Sequence, residues 1–519
     1  MMKETTRKPM TGSEYIDSIR DGREVWLNGE RVKDVTTHPA FRNSVRSVAR
    51  LYDALHDPKY HETLTSPTDT GGGSFTQKFF KASRNSDELL QARDAIVEWA
   101  RLTYGWMGRT PDYKGSFLAT LGGNPEFYAP YQDNATRWYK EAQEKVLFIN
   151  HAIINPPVDR NKPIHEAKDV FIHVEKETDA GIIVSGAKMV ATGSAITNYN
   201  FIAYNGTLPL EREEFALVFF VGQDTPGVKL LCRPSFEMNS AVMGSPFDNP
   251  LSSRLDENDA VLILDKALIP WENILVYKNI EKGNSFFKES GFANLFTFHG
   301  CTRLAVKMDF MAGLLMKATE TSGTNQFRGV QANVGEIIAW RNVLWGLSTA
   351  MAKDPDKGPN GTVLPNLEYG QAYRVFSNLA WPRVKEIIEN TVAGGLIVQP
   401  SNAADFKNPE LRPYLDRFYR GSNGYDSLEK VKVIKLLWDA VGTEFGGRHE
   451  LYERNYTGNH EDIRIHNLFT AMGNGSADSF KGFVEQCMSE YDLDGWKDST
   501  WINPDDVNLI AKKGSGLNV

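Results

Sequence analysis

Cysteine is scarce in this chain of 519 residues: Cys232, Cys301 and Cys487 are its three, odd in number and far apart. They supply no disulfide framework and no zinc knuckle, and they fit a reducing cytoplasm. Long apolar runs are missing too. The longest, such as residues 216–221 and 260–264, fall far short of the roughly 20 residues that a bilayer span needs. The opening MMKETTRKPMTG lacks the apolar core of a signal peptide, so a cytoplasmic protein is expected. Basic charge is not in excess: 58 Lys plus Arg against 66 Asp plus Glu leave a net charge of −8. That argues against a nucleic-acid surface spread over the whole molecule.

Familiar catalytic signatures are lacking as well. No G-x-G-x-x-G follows a strand-like run, and the P-loop and G-x-S-x-G patterns are absent. His449-Glu450 begins like a zincin helix, but Glu453 stands where the second histidine belongs. His449, His460 and His466 match no common ligand spacing, so no metal is expected.

The remaining composition is that of an ordinary globular protein, with 41% hydrophobic and 24% charged residues. Residues 1 to 154 read as a helical domain. Ser86 is a plausible N-cap before Asp87 and Glu88, and Leu89, Leu90, Ile96, Val97 and Ala100 recur at helical spacing. A second amphipathic helix is expected over 136–148. From 155 to 280 the period shifts to two, as in Val170, Ile172 and Val174, with a hairpin turn at 178–181. No helix-length periodic segment interrupts this stretch, which predicts an antiparallel β domain. Residues 281–519 return to helix, with long helices expected over 293–321, 330–351, 371–393 and 428–452. Gly323 should end the first, and Pro382 should kink the third or mark its true start. The arrangement predicted is a four-helix bundle. The last stretch of about 50 residues, rich in Gly, Asp and Lys, reads as a peripheral tail.

Candidate chemistry concentrates in four places. In YGWMGRTPDY, residues 104–113, Gly105, Gly108 and Pro111 interrupt helix and can aim Arg109 and Tyr113 at one point. Such a pair suits a small aromatic anion, since Arg brings charge and fixed donors and Tyr one more polar group. On segment chemistry alone a solvated surface turn is the default. HAIINPPVDR, residues 151–160, lies at the junction of helical and β domains, a common place for a cofactor cleft. Thr192-Gly193-Ser194 follows a strand and offers two hydroxyls to the edge of a planar heterocycle, although an ordinary hairpin turn is the preferred reading of these residues alone. His299 sits in an apolar helix flank of Phe296, Phe298 and Cys301, facing something other than water.

The order of domains, with IPWEN at 269–273 closing the β domain, resembles the acyl-CoA dehydrogenase fold. Within it the chain resembles the large oxygenase components of the 4-hydroxyphenylacetate 3-monooxygenase family over nearly its whole length. The phrases that carry the likeness include DGREVWLNGERVKDVTTHPAFRN (21–43), YGWMGRTPDY, NHAIINPPVDR, KETDAGIIVSGAKMVATGSA (176–195), LSSRLDENDA, IPWENILVY and EFGGRHELYERNYTG (444–458). The resemblance implies a monooxygenase using non-covalent FAD as FADH2, delivered by a separate NAD(P)H:flavin reductase, with O2 as co-substrate. Through a C4a-hydroperoxyflavin it would hydroxylate a phenol such as 4-hydroxyphenylacetate ortho to its hydroxyl. It also implies a homotetramer. The family positions carry over as catalytic to Arg109, Tyr113, His151 and His299, and as substrate-binding to Arg109, Tyr113, His151, Gly206 and Thr207. Those for the flavin fall on His151, Ala152, Ile153, Pro157, Val158, Asp159, Arg160, Thr192, Ser194, Arg454, Asn455, Tyr456 and Thr457. Two departures bear on the substrate: the loop NGTLPLEREE is unusual, and His299 stands where hydroxyphenylacetate oxygenases often carry glutamine. Relatives acting on chlorophenols and nitrophenols carry histidine there, which opens halide or nitrite displacement, or another aromatic such as an aminobenzoate. The rival of a different class is an acyl-CoA dehydrogenase-like oxidoreductase, for which no catalytic carboxylate can be assigned; a flavin-binding scaffold without activity is the third.

Overall fold

A computed structural model describes residues 8–205, 208–493 and 495–497. The chain divides into two compact units, Met1–Thr457 and Gly458–Val519. In the first unit, the helices Arg42–His56, Ser86–Leu102, Pro111–Gly123 and Gln132–Lys145 form the N-terminal layer. Asn85 rather than Ser86 caps the second of these, its side chain accepting the Glu88 backbone N–H. The segment read as helical also contains a hairpin. Glu24–Leu27 and Glu30–Val32 meet at Asn28 and Gly29, both in the left-handed region. Asn-Gly is the pair that such a tight hairpin turn requires.

That hairpin joins a sheet of the β region. One sheet runs Glu30–Val32, Glu24–Leu27, Val228–Cys232, Ala260–Pro270, Gly181–Lys188 and His173–Thr178 across its width. The other runs Ile274–Tyr277, Leu217–Gly222, Tyr199–Asn205 and Ile149–Ile154. Between these strands pairing is antiparallel except at two places. Glu24–Leu27 lies parallel to Val228–Cys232, and Ile149–Ile154 parallel to Tyr199–Asn205. At both places a strand arrives from the N-terminal segment and not through a hairpin, so its direction is not forced to alternate. The expected 178–181 hairpin is present, and only glycine fits its close: a Cβ on Gly181, at φ 150°, would sit 2.0 Å from the Ile269 carbonyl oxygen. One short helix, Phe236–Met243, interrupts the region that periodicity marked as helix-free.

The third layer begins with Phe292–Ser322, closed by left-handed Gly323, and continues through Arg328–Lys353 and Leu367–Val392, which runs on through Pro382. The single helix expected over 428–452 is two, Ser427–Val441 and Glu444–Asn455. The Trp438 ring covers Gly442 so closely that a Cβ there would lie 2.2 Å from it. Thr443 then caps a new helix by accepting the Gly446 N–H. This order of helical layer, β sheets and bundle is the acyl-CoA dehydrogenase-like architecture that the sequence implies.

The second unit carries regular elements among its described residues. It holds the helices His460–Gly473 and Ser476–Ser489, whose apolar residues a compositional reading overlooks, and the paired strands Tyr491–Asp492 and Gly495–Trp496. Among the described residues no helix is long and apolar enough to cross a membrane. Gly206 and Thr207 lie outside the described residues.

Candidate active site

The helix Ser86–Leu102 ends in a left-handed turn at Tyr104 and Gly105, where the Gly105 N–H reaches back to the Ala100 carbonyl. A Cβ on Gly105 would lie 2.7 Å from the Lys307 Cα, so this turn is pressed against the long Phe292–Ser322 helix. Six residues later Pro111 opens the helix Pro111–Gly123 at its first turn, where a missing N–H costs nothing. The linker is therefore buried and not a surface turn: Trp106 is 0%, Arg109 8% and Tyr113 2% exposed. Its backbone is fixed from the β region, since the Arg109 N–H donates to the Glu257 carboxylate.

Around Arg109 stand three tyrosines. Its guanidinium carbon lies 4.4 Å from the Tyr113 ring centre, 4.9 Å from Tyr456 and 5.6 Å from Tyr452. The ring of Tyr113 is 5.5 Å from that of His151 and 5.3 Å from that of His299. His299, 1% exposed, stacks on Phe79 and places its Nε2 3.2 Å from Asp112 Oδ1. The Lys114 ammonium nitrogen sits 4.5 Å from both the Tyr113 and Phe292 ring centres. Three elements thus bring Arg109, Tyr113, His151 and His299 together: the linker with its helix, the terminal strand Ile149–Ile154, and the start of the long bundle helix.

Polar atoms without a protein partner collect here. Arg109 Nε and Nη1, Lys114 Nζ, His151 Nδ1, His299 Nδ1 and the Tyr456 hydroxyl are all buried and unpartnered. Each such group costs roughly 1–3 kcal/mol if left unsatisfied, so their concentration marks a site built for a polar ligand. Burial, aided by the charges of Lys114 and Arg109, holds His151 well below its ordinary pKa, leaving a neutral imidazole at neutral pH. Burial and the neighbouring Arg109 likewise push the Lys114 amine well down.

The other implied residues are placed differently. The turn at 192–194 packs beside Arg109, and the Gly193 N–H donates to Asn258. Its two hydroxyls, however, are used within the protein: Thr192 donates to Asp259 at 2.6 Å, and Ser194 to Asn200 at 2.7 Å. Ala152 and Ile153 are buried on the terminal strand, whereas Pro157, Val158, Asp159 and Arg160 are exposed. Of residues 454–457, Tyr456 turns toward Tyr113, their ring centres 5.9 Å apart. Arg454 donates to Glu450, Asn455 to the Leu451 carbonyl, and the Thr457 carbonyl accepts from Arg374.

Sequence reasoning passed over Asp112, Lys114, Tyr452 and Glu257. The first two flank Tyr113 in the same phrase. Tyr452 lies four residues before Tyr456, the spacing that sets both on one helix face, and their rings stack at 4.8 Å. Gly108 makes room for Tyr452, because a Cβ there would come within 2.1 Å of its hydroxyl. Gly108→Ala is therefore expected to displace Tyr452 and to lower stability by about 1–3 kcal/mol, read as a shifted denaturant midpoint.

The description "4-hydroxyphenylacetate 3-hydroxylase N terminal" matches residues 11–276, and its C-terminal counterpart matches residues 283–485. The chain belongs to the 4-hydroxyphenylacetate 3-hydroxylase family. Among its relatives, the oxygenase component of 4-nitrophenol 2-monooxygenase from a Rhodococcus species is 59% identical, over 97% of this chain and 96% of that protein. A Streptomyces globisporus monooxygenase named for a carrier-bound 3-amino-3-(3-chloro-4-hydroxyphenyl)propanoyl group is 58% identical, over 94% and 92%. Of solved structures in the family, the oxygenase component of 4-hydroxyphenylacetate 3-monooxygenase complexed with FAD and 4-hydroxyphenylacetate superposes with a TM-score of 0.86. It is 30% identical, with 92% of this chain and 99% of that one covered.

Proposed function

We propose that this chain is the oxygenase component of a two-component, FADH2-dependent monooxygenase that hydroxylates a para-substituted phenol ortho to its hydroxyl. The observation that carries this reading is the buried cluster of unpartnered donors and acceptors around Tyr113, led by the Arg109 guanidinium. A phenol with a polar para group is what the names of the relatives above have in common.

In this reading Arg109, Tyr113, His151 and His299 are the catalytic residues, and the first three, with Gly206 and Thr207, bind substrate. Arg109 favours the phenolate over the phenol by offering fixed donors in a water-poor site, and a phenolate is the better nucleophile toward an electrophilic oxygen. Neutral His151 orients the phenol oxygen, and His299 Nδ1 receives its proton. Bound reduced FAD supplies, with O2, the oxygen atom that is transferred. The residues fit such a group. Ile149–Ile154 ends its sheet, bridged at Ile154 by Met189, and carries His151, whose buried Nδ1 has no protein partner, beside buried Ala152 and Ile153. Pro157, Val158, Asp159 and Arg160, the turn with Thr192 and Ser194, and Arg454, Asn455, Tyr456 and Thr457 complete the proposed flavin contacts. A separate NAD(P)H:flavin reductase supplies FADH2, in the cytoplasm. A homotetramer fits the exposed apolar residues of Arg328–Lys353 and Leu367–Val392, among them Val343 and Leu379; light scattering on the purified protein measures it.

The test supplies FADH2 and O2 with a panel of 4-hydroxyphenylacetate, a chlorophenol, 4-nitrophenol and 4-aminobenzoate, and measures product, halide and nitrite. A catechol from at least one phenol is expected. Turnover of none of them, or reduction of bound FAD by an acyl-CoA without a reductase, overturns the proposal in favour of a dehydrogenase.

A further inference from the structure

Asp112 has no place in the chemistry described so far, yet its carboxylate is 1% exposed and lies 3.2 Å from His299 Nε2. Three features fix this pair. Asp112 occupies the first turn of Pro111–Gly123, where the helix N-terminus favours a negative charge. The Thr110 hydroxyl donates to the same Oδ1 at 2.5 Å, which holds the carboxylate rotamer. Phe79 and Tyr113 pack against the His299 ring and restrict its rotation.

We infer that Asp112 is a positioning residue, fixing His299 in the tautomer whose Nδ1 accepts the substrate's phenol proton. This rests on the phenol-hydroxylation reading above. An ionised carboxylate only accepts hydrogen bonds, so the ring nitrogen that faces it carries the proton. In a neutral imidazole the lone pair then lies on the other nitrogen, and that atom, Nδ1, is buried and without a protein partner. When the phenol O–H bond breaks, its proton forms the new N–H bond at Nδ1 and the electron pair stays on the phenolate oxygen. The imidazolium that results is balanced by Asp112, while Arg109, also packed against Tyr113, offers its donors to the phenolate. Asn at position 112 would offer an N–H as readily as an oxygen, releasing the tautomer and removing the balancing charge.

The experiment compares Asp112→Asn and His299→Gln with the unaltered protein on two substrates. One is 4-hydroxyphenylacetate, whose phenol, like that of tyrosine, ionises near pH 10 and must lose a proton in the site. The other is 4-nitrophenol above its own pKa, which arrives as the phenolate. Both variants are expected to lose at least about tenfold more kcat/KM on the first substrate than on the second, within the range of proton-transfer catalysis. The double variant should lose no more than His299→Gln alone, because the two residues act as one unit. If Asp112→Asn is insoluble, Thr110→Ala, which removes the hydroxyl that holds the Asp112 carboxylate, must show a selective loss on the first substrate. Equal loss on both substrates makes the pair structural and overturns the inference, as does no loss on either. Should the unaltered protein hydroxylate no phenol, the functional reading falls first and this one with it.

Discussion

Replacing Arg109 by alanine should cut phenol hydroxylation by roughly 10²–10³-fold, the usual cost of losing one preorganised donor to a developing negative charge. FADH2 should still be consumed, its electrons appearing as hydrogen peroxide, so product per FADH2 falls while flavin oxidation does not. The guanidinium is held by ring faces and not by a carboxylate, and two of its nitrogens have no protein partner. Its binding capacity is thus uncommitted inside the protein. Glu257 contacts the Arg109 backbone N–H, a bond the alanine variant keeps. The fold should accordingly hold, and the thermal midpoint should stay level or rise as an unpaired buried polar group is removed. Arg109→Lys should recover little, because an ammonium cannot reproduce a planar fork between tyrosine faces. Coupling that survives in Arg109→Ala would return the linker to a purely structural role.

How far the sequence foretells this site depends on how local each signal is. Periodicity located the long helices at 293–321 and 330–351 to within a few residues, since each keeps an apolar face over many turns. It joined Ser427–Val441 to Glu444–Asn455 because the break there is set by Trp438 closing over Gly442, a tertiary contact. The Asn-Gly pair that turns the Glu24–Leu27 hairpin is a local signal that the helical reading of residues 1–154 passed over, and its sheet partner lies some 200 residues further on, at Val228–Cys232. Composition misjudged residues 104–113 most. Glycine, proline and charge read as a surface turn, whereas neighbours distant in sequence bury the segment: Lys307, Glu257 and Tyr452. Asp112 and Lys114 had no readable signal of their own. An aspartate at a helix start is ordinary capping chemistry until His299, 187 positions later, is seen against it.

The buried ion triad behind the tyrosines carries the second large effect. Arg303 binds both oxygens of Glu453, and Lys307 reaches Oε1 at 2.9 Å; all three side chains are at most 2% exposed. One carboxylate therefore serves two cations. Glu453→Gln would leave Arg303 buried without a counter-charge, while the Lys307 amine, its pKa already drawn down to about 7 by burial, would shed its proton, and the change should cost roughly 3–5 kcal/mol. Lys307→Met should cost far less, because the Arg303–Glu453 pair survives and the methionine still fills the space between the Trp106 and Trp381 rings. The asymmetry separates charge balance from packing, since both substitutions sit in the same cluster. The acid limit follows the same charge. Burial opposes ionisation of Glu453, but Arg303 and Lys307 outweigh it and hold its pKa near 2 against an ordinary 4.5. A depressed carboxylate pKa contributes stability that is full above pH 4.5 and lost as pH falls through about 2. Denaturant midpoints measured from neutral pH down to about pH 3 should therefore fall less steeply in Glu453→Gln than in the unaltered protein. Activity should fall with stability, because the helix that carries Glu453 also carries Tyr452 and leads into Tyr456, both of which face Arg109. If Lys307→Met proves as damaging as Glu453→Gln, the triad is held by packing, and its charge balance is not what fixes the tyrosine wall of the site.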